Sequence, residues 1–347
     1  MQRLDRLVIL CALSLTGCTM PDGAHVLRHI GHIERLDPAL DALVPSNAQL
    51  EVIAEGFAWS EGPVWIPEDG GYVLFSDIPP NHTMKWQRGV GTSVYLDQSG
   101  YLGPIPRANH IAPDEPGANG LLLDHQGRLV LCQHGERQVG RMNAPLSAPK
   151  AEYTALAKTY DGKRFNSPND ATFHKNGDLY FTDPPYGLTG KMEDPNKDID
   201  FQGVYRVTPD GTVTLLTKEM SRPNGIAFSP DYQTLYVANS DPERAVWMAF
   251  PVKPDGTLGS GRVLFDATAM VGERKGLPDG LKIDGLGNLF ATGPGGVLVL
   301  TPEGKHLGTL MTDEATSNCT FGEDGSTLFV TADSLLLRIE LTTMVRR

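Results

Sequence analysis

Apolar residues in this chain come in short bursts of four to seven, and the bursts come in pairs. Six stretches read EGPVWI, NGLLLD, NDATFH, NGIAFS, DGLKID and NCTFGE, and each runs into a turn (EDGG, HQG, KNG, SPDYQ, GLGN, EDG). Behind each turn stands a second apolar run: YVLFSD, RLVLCQH, DLYFTD, TLYVANS, NLFATG and TLFVTA. Short alternating or fully apolar runs bounded by Gly, Pro, Asn and Asp are strand-and-turn chemistry. Third runs follow in all six repeats (TMKWQRG, QVGRMN, GVYRVTPDG, AVWMAFPV, GVLVLTPEG, LLLRIEL), and fourth runs such as TVTLLT and HLGTLM in several. Helical periodicity is scarce. Only DPALDALVP (37–45) suggests a helical turn or two, begun by Asp37-Pro38 and stopped by Pro45.

The residues that open the six repeats are Glu61, Asn119, Asn169, Asn224, Asp279 and Asn318, separated by 58, 50, 55, 55 and 39 positions. Repeats of this period that cannot bury their faces alone predict an all-β fold, a six-bladed β-propeller with a short N-terminal extension. Strand chemistry rules out leucine-rich and helical repeats. Strand signals run from Gln49 to about Ile339 without a composition shift, so residues 49–347 are expected to form one domain. Residues 18–48 are expected to be a tether with a short helical segment. Two long Gly/Pro/Asp-rich insertions, 101–118 and 187–202, have the length of loops that wall a site.

In a propeller the first strand of every blade lines the axis, so the six opening residues converge. All six offer oxygen, the donor set of a hard cation. Glu61 and Asp279 would supply two charges to match a dication, Asn224 the third ligand, with Asn169 and Asn119 beside them. Calcium suits this set first. Magnesium demands stricter octahedral order, and zinc prefers the His and Cys that the first strands lack. The plain alternative is that each Asn or Asp caps a turn. Capping, however, does not require phase with the repeat. The second strands end in Asp77, His134, Asp183 and Asn239, which the antiparallel arrangement puts on the same face.

Net charge is −12 over 347 residues, and no Lys/Arg run exceeds two, which argues against a nucleic-acid partner. The N-terminus carries the charged MQRLDR, the apolar LVILCALSL, and Leu15-Thr16-Gly17-Cys18. That core is too short to span a bilayer and has the form of a secretory leader, residues 1–17. The L-T-G-C ending resembles the bacterial lipobox, in which the Cys, here Cys18, is lipid-modified. The expected location is periplasmic, lipid-anchored to the outer membrane. Beyond Cys18 only Cys132 and Cys319 remain, in repeats two and six. Those repeats should not be neighbours, so two buried free thiols are expected rather than a bridge.

EGPVW, FNSPNDATFHKNGDLYFTDPPYG, RPNGIAFS, LPDGLKID and SNCTFGEDGSTLFVTA strongly resemble the family of gluconolactonases, regucalcin (senescence marker protein) and luciferin-regenerating enzyme, over about residues 37–340. The resemblance implies a six-bladed propeller with Glu61 (EGPVW), Asn224 (RPNG) and Asp279 (PDGLKID) as metal ligands. It puts Asn169 (SPND) on the substrate side of the ion, joined by Asn119. His134 lies in QHGER, similar to the family's E-H-G-x-R, with Gln133 replacing the usual Glu. The implied activity is divalent-cation-dependent hydrolysis of a sugar lactone of the glucono-1,5-lactone type. Calcium is the first cation, with magnesium, manganese or zinc as alternatives. Asp279 is the first candidate for the base, with Asp170 and His134 behind it. No G-x-S-x-G motif supports a serine nucleophile. Two other readings stay open: a hydrolase of other lactones or esters, and a non-enzymatic sugar- or protein-binding lipoprotein. The expected partners are a small lactone and, through the lipid anchor alone, a membrane, with no protein partner evident. Asn318 receives no role.

Overall fold

The computed structural model describes residues 28–104 and 110–342. Six antiparallel sheets form the blades, and their first strands are Ser60–Ile66, Ala118–Leu123, Ala171–Phe173, Pro223–Phe228, Leu281–Ile283 and Thr316–Gly322. Blades one to five each take four consecutive strands. Blade six takes three, and Leu50–Glu55 from the beginning of the chain supplies the fourth by pairing with Leu335–Glu340. This exchange locks the ring shut, since the first and last parts of the chain share one sheet.

Each second strand is sandwiched between two blades, which is why it reads as a continuous apolar run. Tyr72–Asp77, Leu129–Gln133, Leu179–Asp183, Leu289–Gly293 and Thr327–Ala332 are buried at every position. The fourth strands are wetter; five of the seven residues in Gly91–Asp97 are exposed. The core is correspondingly divided into six apolar clusters between adjacent blades. Cys132 and Cys319 are both buried and free, in blades two and six with blade one between them, as expected.

The expected tether is not one over the residues described. Arg28–Ile30 pairs with Leu50–Glu55, and His32–Arg35 pairs with His306–Met311 at the edge of blade five. Between these strands and the first blade, Pro38–Ala42 forms a 3-10 turn whose Asp37 cap accepts the Ala39 N–H at 2.9 Å. Leu40, Leu43 and Val44 sink into the core between blades five and six. The domain therefore begins by residue 28 rather than 49. The strands escaped notice because edge strands are solvated and show no apolar alternation. The proposed leader 1–17 and Cys18 lie outside the described residues.

Hydroxyls near the ends of second strands stitch blade to blade around the axis. Ser76 donates to the Asn119 carbonyl (2.8 Å), Thr182 to that of Asn224 (2.7 Å) and Thr292 to that of Ser317 (2.8 Å). Ser317 in turn donates to the Ser60 carbonyl at 2.7 Å, carrying the stitching across the closure. The backbone around the axis is thus fixed by buried hydrogen bonds, which are expensive to leave unmade.

Candidate active site

Strand register decides which residues reach the axis at one level. Leu121, Ala171, Ile226, Leu281 and Cys319 face Leu131, Phe181, Val237, Ala291 and Val330 on their second strands. Two positions before them stand Asn119, Asn169, Asn224, Asp279 and Ser317, and Glu61 opposite Ser76 completes the set. The sixth place therefore belongs to Ser317, not to Asn318. A register shift between Thr316 and Asn318 and the loss of a Gly after the ring residue disguise the frame. Five of the six ring residues are those expected.

Glu61, Asn119, Asn169, Asn224 and Asp279 share the floor of an open pit of about 480 Å³. All five are buried or nearly so as residues. Several of their acceptor atoms have no hydrogen-bond partner: Asn119 Oδ1, Asn169 Oδ1 and Asp279 Oδ1. Asn224 commits its amide to Ser240 Oγ at 3.0 Å, leaving its oxygen as the atom to offer. Orphaned buried acceptors are uncommon and mark a missing partner. Burial, then repulsion from Glu61, drives the Asp279 carboxyl well above the usual carboxylate range. Burial also raises Glu61, opposed by the Gly62 N–H and reinforced by Asp170. Two adjacent buried carboxylates cannot both ionise without a counter-charge. Orphaned oxygens and paired carboxylates fit a hard divalent cation, with Glu61, Asn224 and Asp279 able to hold it. Among the described residues no cluster of three or more His, Cys, Asp or Glu has metal-binding geometry, so carboxamides would have to share the work.

Residues 59–334 match the family described as SMP-30/Gluconolactonase/LRE-like region. The chain belongs to this family. A gluconolactonase of Zymomonas mobilis is 40% identical over 318 residues, covering 90% of this chain and 87% of that protein. The structure of a gluconolactonase from Xanthomonas campestris superposes with a TM-score of 0.76 at 31% identity, covering 93% of this chain and 99% of the other. A regucalcin from Agrobacterium tumefaciens, described as a calcium-binding protein, shares the fold at TM-score 0.63 and 21% identity over 85% and 94% of the two chains. These relationships support a lactone hydrolase.

Not every residue expected of this family member reaches the pit. The His134 side chain is fully enclosed, and its Nδ1 meets Glu115 Oε2 at 3.1 Å. It is Glu115, 21% exposed, that lines the pit in front of it. Asp77, Asp183 and Asn239 do not face the pit either. Asp77 accepts the N–H groups of Ala58 and Trp59 at 3.0 Å each. Asp183 accepts those of Asn166 and Ser167 at 2.8 Å, and Asn239 that of Arg222 at 2.9 Å. They hold the loops leading into the first strands, because each loop folds back over the second-strand end and presents its N–H groups there.

The walls come from the two insertions and from an unexpected source. Ala112 N–H donates to the Gly187 carbonyl at 2.9 Å, and Ile111 bridges Leu188, so the insertions brace one another. Together they bring Glu115 and Tyr186 to the pit. Burial raises the Tyr186 hydroxyl and the neighbouring Asp279 adds to this, so it stays a neutral phenol. On the far rim, Arg274 makes two 2.9 Å bonds to the two oxygens of Glu34, a residue of the N-terminal edge strand. Glu115 and Arg274 had no repeat or motif to announce them, while Tyr186 and Ser317 stand inside the motifs YFTDPPYG and SNCTFG, which assign them no role. Glu115 carried the one usable signal, an acid inside a long insertion.

Proposed function

We propose that the chain hydrolyses a sugar lactone of the glucono-1,5-lactone type with the help of a divalent cation, calcium first, held by Glu61, Asn224 and Asp279. The observation that carries this reading is the ring of buried, partnerless oxygen acceptors around two carboxylates whose charges oppose one another. When bound, the cation would supply Lewis-acid polarisation of the lactone carbonyl and stabilise the charge that develops there. Asn119 and Asn169, which line the pit, would orient the ring hydroxyls, and the Tyr186 phenol would offer a further donor. Glu115 rather than His134 is positioned to take the proton from the attacking water and return it to the ring oxygen as the C–O bond breaks. The His134 Nδ1–H then fixes the carboxylate of Glu115. Asp279 is a poorer base than Glu115, because a carboxylate engaged by a cation has little proton affinity.

Proton release from D-glucono-δ-lactone, corrected for spontaneous hydrolysis, should exceed background, fall to background with chelator and return with calcium. Cation-loaded protein that never exceeds background would overturn the reading. Glu115→Gln should lower kcat by about 10²–10⁴-fold with the cation still bound, in the range of general-base removal. His134→Ala should cost less. Near-normal kcat in Glu115→Gln would return the base to Asp279. The rim favours a second reading: Trp59, Pro242, Val271 and Leu277 give it an apolar character suited to other lactones or esters. A substrate panel that ranks an alkyl lactone above the sugar lactone would support it.

We also propose that Cys18 is acylated and that the mature protein is anchored at the periplasmic face of the outer membrane. Labelling with a fatty-acid analogue in the native cell tests this. Cys18→Ala protein that still takes up label at wild-type level would refute it.

A further inference from the structure

The position after each ring residue is glycine in four blades: Gly62, Gly120, Gly225 and Gly280. The axis is crowded there. A Cβ on Gly62 would lie 2.0 Å from the Asn119 carbonyl oxygen, and one on Gly225 would lie 2.2 Å from that of Asp279. Blades three and six break the rule with Asp170 and Asn318, both buried. The preceding blades make room for them: a Cβ on Gly120 would come within 2.6 Å of Asp170 Oδ1, and one on Gly280 within 2.0 Å of Asn318 Cγ. Two polar side chains therefore fill the axis at the level next to the ring. Blade five adds a charge. Lys282, three residues beyond Asp279, donates to the carbonyl of the adjacent Leu281 (3.2 Å) and to Asn318 Oδ1 (3.4 Å). Its charge is also the largest influence favouring the ionised form of Asp170, against the burial that raises that carboxyl. Asn318 Nδ2 in turn donates to Glu61 Oε2 at 3.3 Å.

We infer that Lys282, Asp170 and Asn318 form an axial plug that tunes cation binding: Lys282 is a tethered positive charge that offsets Asp170 and weakens the ring's hold on a dication, and Asn318 positions Glu61. This rests on the cation reading above. No packing argument explains an aspartate at the one level where four blades need glycine, with a lysine two residues beyond that level reaching toward it. Charge balance does. Without Lys282 the axis would hold Glu61, Asp170 and Asp279 with no basic residue of the first strands nearby, and would bind a dication more tightly.

The test is calcium titration of chelator-stripped protein by calorimetry, with melting curves on the same samples. Lys282→Met should tighten the calcium Kd by roughly tenfold, and Asp170→Asn should weaken it by a similar factor, the signs that Coulomb's law assigns to the two charges. The double variant should return to within about threefold of wild type, the mark of compensating charges. Lys282→Arg, which keeps the charge, should bind as wild type does. Asn318→Ala should weaken binding while leaving the melting curve of stripped protein near wild type. Equal Kd values for Lys282→Met and wild type would overturn the plug, as would equal shifts in Lys282→Met and Lys282→Arg, which would mean packing rather than charge. Wild-type protein that binds no calcium would overturn the cation reading itself, a result visible before any variant is compared.

Discussion

Asp279→Asn should abolish lactone hydrolysis, by about 10³-fold or more, in a protein that stays folded. The substitution is isosteric, so it opens no cavity in the fixed backbone around the axis. It removes one of the two charges that a dication needs, and it leaves Glu61 with a neutral neighbour. In stripped protein that relieves repulsion, because the Asp279 carboxyl is raised by burial and by Glu61. Stability without cation should therefore be unchanged or slightly higher, while cation content falls. Glu61→Gln should behave alike for the same reason. The measurements are kcat/KM, bound metal by elemental analysis, and thermal unfolding with and without calcium. Metal-free Asp279→Asn protein with full activity would remove the cation from the mechanism altogether. Asn224→Ala should fall between, since it removes an oxygen but no charge.

The repeat pattern made blade number, first-strand register and five of the ring residues legible, because propeller symmetry imposes itself on spacing and on hydrophobic runs. What symmetry does not impose stayed hidden. Glu115 belongs to an insertion with no counterpart in other blades, and Tyr186 stands just before the other one, in a motif that gives no sign of its reach to the pit. His134 was legible as a motif, but motif spacing says nothing about depth, and Glu115 stands between it and the pit. Asp77 and Asp183 share the face of the ring, yet the loops before the first strands offer them paired N–H groups at closer reach. Ser317 lost its place to Asn318 because a carboxamide looked like its five relatives. The hydroxyl that belongs there is instead occupied with Ser60 and Thr331. The edge strands at 28–35 were invisible for the opposite reason, having too little burial to leave a pattern.

Chelator-stripped protein should lose stability as pH rises from about 5 to 8, and calcium should restore it most at the alkaline end. The sign follows from the direction of the shifts. Glu61 and Asp279 hold their protons in the folded protein to higher pH than in the unfolded chain. Between the ordinary carboxylate range and their raised values the folded state binds more protons, so stability falls with rising pH. Burial raises Asp77 and Asp170 as well, and Asp183 to about 7, which slopes the curve the same way. Only the ring carboxylates, however, exchange their protons for a cation. The difference between stripped and calcium-loaded melting temperatures isolates them. At about 1,000-fold excess over Kd, ligand binding adds about 4 kcal/mol, a shift of several degrees in a chain of this size. At pH 5 the cation must displace protons, so the gain shrinks there. In Asp279→Asn the calcium-dependent difference should collapse at every pH, while the slope due to Asp183 and Asp77 survives. A calcium-induced gain of equal size at pH 5 and pH 8 would mean that the cation binds away from these two carboxylates.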